Sequence, residues 1–359
     1  MMITETRHDW AQLVTAFNLS GEFVESVPYG SGHINDTYAL TMQADGRATR
    51  YILQRINGHV FKDIPALMDN IARVTAHIPG GLTLIPCTDG LPFTRDTEAK
   101  YWRCYVFIEQ ASTHDVIQHA GQARAAAFSF GEFQGKLVDL PGPRLHETIP
   151  NFHHTRSRFD TLQHAIAADS HDRLADIGAE VDFANQREVM VDRLIDRTAR
   201  GEIPERITHN DTKINNVMLN DATGEGEAVI DLDTVMPGLV LYDFGDMVRT
   251  ATNAAAEDET DLSKVNARME IFDALAEGYL ASARSFLNPA EIEELAFSGR
   301  LITFEIGLRF LTDHLQGDVY FKTHRPHHNL ERARCQFALV KNLEENDDTM
   351  QGIIADRLK

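Results

Sequence analysis

Between positions 208 and 219 the chain reads Thr208-His209-Asn210-Asp211-Thr212-Lys213-Ile214-Asn215-Asn216-Val217-Met218-Leu219, and a later apolar stretch, Val229-Ile230, ends in Asp231-Leu232-Asp233. A carboxylate is thus followed two residues later by an ammonium and five residues later by a carboxamide, with a second carboxylate twenty residues on. Phosphoryl transfer from a nucleotide needs those groups. One carboxylate orients and deprotonates the attacking hydroxyl, an ammonium neutralises the moving phosphoryl group, and oxygens of an Asn and an Asp hold Mg²⁺ against the phosphates. Read as turn chemistry alone, Asp211 and Asn216 would be turn formers and Asn215 a cap.

The elements that must position this segment can be read from periodicity. Strand patterns at 23–27, 37–42 and 51–53, separated by glycine turns, form an antiparallel meander. A helical pattern over 64–77 places Leu67, Ile71 and Val74 on one face, and further strands are expected at 83–85 and 102–108 around the turn Thr88-Asp89-Gly90. Beyond residue 110 the texture becomes helical: 116–137, 159–168 and 183–200, the last stopped by Gly201. The polar segment 207–233 interrupts it with short strands and a hairpin through Asp221-Ala222-Thr223-Gly224, and helices resume from about 242, 263, 290 and 330. The fold class is therefore α+β, with a β-rich N-lobe over 1–108, a mostly helical C-lobe over 109–359, and a linker near 108–113.

Composition narrows the partners. The 359 residues carry 34 Lys+Arg against 54 Asp+Glu, a formal charge of −20. So acidic a surface repels phosphate backbones and anionic lipid, which argues against nucleic acid and membranes as partners, while one local positive pocket can still hold a phosphorylated ligand. No run approaches 18 apolar residues, and the start has neither a basic nor an apolar leader region, so a soluble, cytoplasmic protein is expected. Cys87, Cys104 and Cys335 share no metal-type spacing and are expected to be free thiols. The adjacent pairs His153-His154 and His327-His328 lack the i,i+4 spacing of a helical zinc site and are expected in loops, and the apolar stripe over 301–315 is expected in the core.

The segment His209-Asn210-Asp211-Thr212-Lys213-Ile214-Asn215-Asn216 resembles the catalytic loop of protein-kinase-like folds. With Asn after His, and Asp-Leu-Asp in place of Asp-Phe-Gly, it is similar to the aminoglycoside phosphotransferase superfamily of small-molecule kinases. Further segments carry the resemblance over nearly the whole chain, toward the N-acetylhexosamine 1-kinases of bifidobacterial type. They are Pro28-Tyr29-Gly30-Ser31-Gly32-His33-Ile34-Asn35, Tyr51-Ile52-Leu53-Gln54, Asp243-Phe244-Gly245-Asp246, Asp261-Leu262-Ser263-Lys264-Val265, Arg309-Phe310-Leu311 and Gly317-Asp318-Val319-Tyr320-Phe321.

The resemblance implies a two-lobed protein-kinase-like fold and ATP-dependent, Mg²⁺-requiring phosphorylation of the anomeric C1 hydroxyl of GlcNAc or GalNAc. By position it makes Asp211 the base, Lys213 a γ-phosphate contact, and Asn216 and Asp231 the Mg²⁺ ligands. Asp233 would sit near the second metal position or bond backbone amides at the strand end, and His209 would be structural. Gly30, Ser31 and Gly32 resemble a shortened phosphate loop, and the backbone of Phe107, Ile108 and Glu109 would meet adenine. Gln54 stands where strand three of a protein kinase supplies lysine, with Arg55 next to it on the opposite face, so either could replace that lysine. His33, Arg309 and Tyr320 match segments around the sugar pocket, although Arg309 could instead pair with Asp313 at i,i+4. Two other functions are open: a kinase of the same superfamily acting on an aminoglycoside, choline, homoserine or another sugar, and a nucleotide-binding pseudokinase.

Overall fold

Alternating apolar and polar residues in the first hundred positions build one antiparallel sheet. In this computed structural model, which describes residues 8–30 and 34–359, the strands are β1 (Glu22–Pro28), β2 (Asp36–Ala44), β3 (Arg47–Arg55), β4 (Leu84–Ile85), β5 (Thr94–Arg95) and β6 (Tyr101–Val106). Their order is β1-β2-β3-β6-β4, with β5 also on β6. The expectations for Ser31, Gly32 and His33 lie outside the described residues. Register sets Leu40 opposite Tyr51 and Leu53 opposite Cys104, so Leu40, Met42, Tyr51, Leu53, Trp102 and Cys104 share a face. That face buries itself against Leu13, Val14 and Phe17 at helix α1 (Trp10–Ala16), an element absent from the sequence expectations. All three cysteines are free and buried.

Helix α2 (Ile64–His77) starts at Asp63, whose carboxylate accepts the Ala66 N–H, and buries Ile64, Leu67, Met68, Ile71 and Val74. Its polar residues hold a distant piece of chain. Asn70 donates to the His146 carbonyl (2.8 Å) and accepts the His146 N–H (2.9 Å), and Arg73 donates to the carbonyls of Pro141 (3.2 Å) and Pro143 (2.6 Å). The chain accordingly divides into Met1–Ala111 with Leu140–Ile149, and Ser112–Asp139 with Pro150–Lys359. Strand β7 (Ala111–Ser112) lies at the first crossing point.

The second unit holds α3 (Ala120–Lys136), α4 (Thr155–Ala168), α5 (Gly178–Asn185) and α6 (Arg193–Ala199). Strands β8 (Arg206–Thr208), β9 (Val217–Asn220), β10 (Gly226–Val229) and β11 (Met236–Gly238) follow. Then come α7 (Val240–Thr252), α8 (Met269–Ala283), α9 (Pro289–Leu315), α10 (His328–Glu345) and α11 (Asp347–Arg357). The single helix expected over 183–200 is two helices. In a continuous helix the Phe183 carbonyl would accept the Arg187 N–H, but it takes the Arg187 guanidinium instead (3.2 Å), and that N–H turns back to the Ala184 carbonyl (3.0 Å). Gly201 does stop α6, in the left-handed conformation at φ +75°. The helix expected from 263 begins at Met269, because Asp261 caps a single 3₁₀ turn over Leu262–Lys264. His153 lies in the turn before α4, whereas His328 opens α10 rather than lying in a loop. No helix among the described residues is long and apolar enough to cross a membrane.

Helices α7 and α9 meet through glycines, which brings two polar helix faces to the site. A Cβ on Gly245 would lie 2.4 Å from the Ser298 carbonyl oxygen, and one on Gly299 would lie 2.6 Å from Val248 Cγ1. Gly245→Ala is therefore expected to destabilise the fold by about 1–3 kcal/mol through overpacking. Urea unfolding should show a lower midpoint at an unchanged slope, and an unaltered midpoint would contradict the tight crossing.

Candidate active site

The catalytic-type loop leaves β8, which pairs with β11 so that Thr208 faces Met236. Asp243, fully buried in the first turn of α7, accepts the backbone N–H of His209 (2.9 Å) and of Asn210 (2.7 Å). It also accepts the Gln134 amide (2.6 Å), which Tyr279 fixes from behind (2.6 Å). Asn210 is left-handed at φ +65°, a conformation that Asn adopts more readily than most residues. Its side chain accepts the Thr208 hydroxyl (3.0 Å) and donates to the Thr234 carbonyl (2.9 Å). His209 donates from Nε2 to the Ile230 carbonyl (2.9 Å) and accepts the Asp211 N–H at Nδ1 (3.3 Å). Both its nitrogens are thus engaged in holding backbone.

Asp211 emerges from this frame with each oxygen engaged. The Lys213 ammonium lies 2.9 Å from Oδ1, and the Asn216 amide donates to Oδ2 (3.2 Å) and to the Asp211 carbonyl (2.7 Å). Burial alone would push the Asp211 carboxyl up, but the Lys213 charge, assisted by His209, holds it below its ordinary range. With the nitrogen of Asn216 turned to Asp211, the side-chain oxygen of Asn216 is left as a hard ligand. The hairpin β9–β10 supplies the next one. Ile230 N–H donates to the Asn216 carbonyl (2.9 Å), so Asp231, left-handed at φ +58°, follows one residue past that bond, between β10 and the 3₁₀ turn over Leu232–Thr234. Asp233 is buried in the turn after it. Among the described residues no group of three His, Cys, Asp or Glu side chains could hold a metal ion by itself. An Asn oxygen and one carboxylate suit Mg²⁺, which typically takes one or two carboxylates and completes its shell with water and substrate phosphates.

Arg309 and Tyr320 come together on the second unit. The guanidinium reaches the Tyr320 hydroxyl (3.5 Å) and lies 5.3, 5.8 and 5.6 Å from the rings of Phe152, Tyr320 and Phe321. Tyr320 is 62% exposed, an aromatic face open to solvent. The alternative pairing of Arg309 with Asp313 does not form. Asp313 is buried and accepts three successive backbone N–H groups, from Val319 (2.9 Å), Tyr320 (2.8 Å) and Phe321 (2.9 Å), together with the Asn329 amide (2.9 Å).

A buried ion pair ties this helix to the loop. His153 places Nδ1 2.8 Å from Glu305, one turn before Arg309 on α9, and Nε2 2.9 Å from the Asn210 carbonyl, while Thr155 donates to the other Glu305 oxygen (2.7 Å). The peptide between Asn210 and Asp211 is therefore held at both ends, by His153 on its oxygen and His209 on its N–H. Burial opposes both charges, yet Glu305 raises the His153 imidazolium above its ordinary range, and His153 holds Glu305 below its own.

In the first unit, Gln54 donates to the Thr37 hydroxyl (3.0 Å) and accepts from Arg103 (2.9 Å), and Arg55 faces away to pair with Asp36 (2.5 Å). Gly30 is left-handed at φ +79°. The Arg50 guanidinium lies 3.7 Å from the Phe107 ring centroid and binds the Glu109 carboxylate, and Tyr29 meets the Phe107 ring edge-on at 5.3 Å. Gly30, Gln54, Phe107, Ile108 and Glu109 all belong to this unit, and the remaining described candidates to the other. Sequence reasoning gives Asp243, Glu305 and Arg103 no role of their own, expects His153 only in a loop, and offers Asp313 only as a partner for Arg309. Asp243, Glu305 and Arg103 share a signal, a charged residue inside a mostly apolar run, as Glu305 is in Leu301-Ile302-Thr303-Phe304-Glu305-Ile306.

The His153–Glu305 pair sets a pH dependence of stability. Glu305, with a lowered folded value, contributes stability above about pH 4.5 that is lost as pH falls through that value. His153, with a raised folded value, contributes stability below about pH 6.5 that is lost as pH rises through it. The difference in unfolding free energy between wild type and Glu305→Gln should therefore peak between these pH values and shrink on both sides. A difference that is flat from pH 3 to pH 9 would contradict a charged pair.

The profile of the phosphotransferase enzyme family matches residues 25–290. The fold is shared with an aminoglycoside phosphotransferase from Alicyclobacillus acidocaldarius (TM-score 0.58, 11% identity, 94% of this chain and 95% of that one covered). It is shared equally with the amicoumacin kinase hAmiN, solved with AMP-PNP, Ca²⁺ and Ami (TM-score 0.58, 13% identity, 95% and 94% covered). Spectinomycin phosphotransferase APH(9)-Ia, solved with ADP and spectinomycin, is a third (TM-score 0.55, 14% identity, 93% and 97% covered). At these identities the likeness is one of fold, the two-part kinase-like architecture of a β-sheet region followed by a helical one, and it agrees with the family match over most of the chain. The chain belongs to the phosphotransferase enzyme family.

Proposed function

We propose that the protein is an ATP-dependent kinase that phosphorylates the anomeric C1 hydroxyl of an N-acetylhexosamine, GlcNAc or GalNAc. The observation that carries this reading is Asp211 itself, a carboxylate kept ionised by Lys213 and aimed by the Asn216 amide. In the proposed step the acceptor oxygen bonds to the γ-phosphorus as Asp211 takes its proton. The bond from the γ-phosphorus to the bridging oxygen breaks, and ADP leaves. The anomeric hydroxyl is the most acidic of the sugar, so a carboxylate base is adequate for it. Lys213 meets the charge of the γ-phosphate. Asn216 and Asp231 would hold Mg²⁺, with Asp233 a candidate for a second metal position, and the ion when bound neutralises phosphate charge.

The nucleotide side of the reading rests on Gly30, Ser31, Gly32 and Gln54 around the phosphates and on the backbone of Phe107, Ile108 and Glu109 against adenine. Arg309 and Tyr320 are the proposed sugar contacts, with His33. A guanidinium offers donors to ring hydroxyls and the acetamido oxygen, and the open Tyr320 face suits an apolar sugar face. A cationic acceptor such as an aminoglycoside or choline would meet the Arg309 charge at that place, which favours a neutral sugar among acceptors of this family.

Asp211→Asn keeps the shape of the side chain but cannot take the proton, so kcat is expected to fall by roughly 10²–10⁴ with ATP affinity unchanged. Near-normal turnover in that variant would remove Asp211 from the base role. The product identifies the acceptor atom. A ³¹P–¹H correlation to the anomeric proton, with loss of the reducing end, is expected for ATP plus GlcNAc or GalNAc. Coupling to the C6 protons, or turnover only with an aminoglycoside or choline, would defeat the 1-kinase reading.

A further inference from the structure

A second arginine of the second unit, Arg158 near the start of α4, shares a residue with Arg309. Its guanidinium donates from Nε (3.3 Å) and Nη2 (2.8 Å) to the carbonyl of Phe152. The ring of the same Phe152 lies 5.3 Å from the Arg309 guanidinium. Phe152 is thus held by two cations, through its carbonyl and through its ring. The next residue, His153, bonds the Asn210 carbonyl, which belongs to the peptide that leads into Asp211. Both arginines are half-buried.

Charged side chains drawn into a protein are normally paired. Among the described residues, neither Arg158 nor Arg309 has an ion-pair partner. Glu305 bears on both electrostatically, but its two oxygens are already taken by His153 and Thr155. Burial, and next the charge of Arg309, hold the Arg158 guanidinium below its ordinary range, with Glu305 and Tyr320 acting the other way. Once Glu305 is set against His153, the cluster keeps two positive charges, in a chain whose formal charge is −20. Holding the Phe152 carbonyl does not call for a charge, since a neutral amide donates to it as well. What a guanidinium adds is a permanent positive field. Such a field sorts acceptors by sign: it repels an ammonium group and favours a carbonyl oxygen.

We propose that Arg158 is a specificity-determining residue of the acceptor site, which together with Arg309 admits an N-acylated hexosamine and rejects the amino sugar with a free ammonium group. It acts through its charge and by positioning Phe152, against which Arg309 lies. The inference rests on the N-acetylhexosamine reading above and adds a residue outside every segment that carries the resemblance.

Competition kinetics test it. GlcNAc phosphorylation by wild type, Arg158→Lys and Arg158→Gln is measured at about pH 6.5, where the amine of glucosamine is protonated, with glucosamine or glucose as competitor. The two competitors differ at C2 by an ammonium in place of a hydroxyl, and their inhibition constants are read whether or not they react. Wild type should bind glucose more tightly than glucosamine. Arg158→Gln should narrow that preference by roughly 10-fold, and Arg158→Lys, which keeps the charge, should retain it. An unchanged preference in Arg158→Gln would overturn the proposal, because a merely structural arginine would weaken both competitors alike. If Arg158→Gln does not fold, Arg309→Gln answers the same question. It should remove only part of the preference, and complete loss would leave nothing for Arg158 and overturn the proposal. A wild-type protein that phosphorylates neither GlcNAc nor GalNAc would instead overturn the hexosamine reading, and the proposal with it.

Discussion

The carboxylate of Asp243, sealed from solvent, accepts the N–H groups of His209 and Asn210, and the geometry of the candidate active site follows from those two bonds. Burial pushes the Asp243 carboxyl above its ordinary range, and the donors from His209, Asn210 and Gln134 oppose that rise. Because the two amides are adjacent in sequence, they fix the direction of the chain as it enters the left-handed residue Asn210. The Thr212 hydroxyl closes the loop from the other end by donating to the Asp243 carbonyl (2.6 Å). One residue of α7 thus spans the loop on both sides of Asp211, with the acid group itself left to Lys213 and Asn216. Removing a partner from so buried a network would strand polar groups, a much larger penalty than the net worth of any single hydrogen bond.

The loop is also tied to the helices behind it. His153 carries the Asn210 carbonyl to Glu305 of α9, and the close crossing at Gly245 and Gly299 holds α7 and α9 near enough for both to serve one loop. The orientation of Asp211 and the position of Arg309 therefore depend on the same helix pair. A site assembled this way is rigid because its backbone is clamped by charges at several points, each of them shielded from water.

How much of this could be read from the sequence follows from the separation of the partners. Asp211, Lys213 and Asn216 lie within six residues, so the contacts that join them are between sequence neighbours and their grouping is legible locally. The meander over β1 to β3 is legible for the same reason, since alternation is local. Arg103 and Gln54 are 49 residues apart, and His153 and Glu305 are 152 apart, so nothing local marks either pair. The continuous helix expected over 183–200 fails through such a remote contact. Arg187 binds Glu344 (2.7 Å), 157 positions away, and its guanidinium takes the carbonyl that the helix would have used. The return of Leu140–Ile149 to the first unit has the same origin, in Asn70 and Arg73.

The fate of Asp313 shows which effect wins when a local rule and a tertiary one compete. An i,i+4 ion pair with Arg309 on a helix face is worth about 0.3–0.5 kcal/mol. Hydrogen bonds to a charged group are each worth about 1.5–3 kcal/mol, and Asp313 accepts three backbone N–H groups in succession as well as the Asn329 amide. The carboxylate therefore turns to the loop after α9 and gives it a fixed shape, with Asp318 left-handed at φ +61° and tied to Arg173 (2.6 Å). Two consequences follow for the proposed sugar site. The Tyr320 backbone is held by Asp313, while its ring stands exposed beside Arg309 and Phe321. Arg309, with no ion pair to Asp313, lies among three aromatic rings. A guanidinium so placed is oriented by stacking and not neutralised, which leaves its N–H groups as donors for a polar, uncharged ligand.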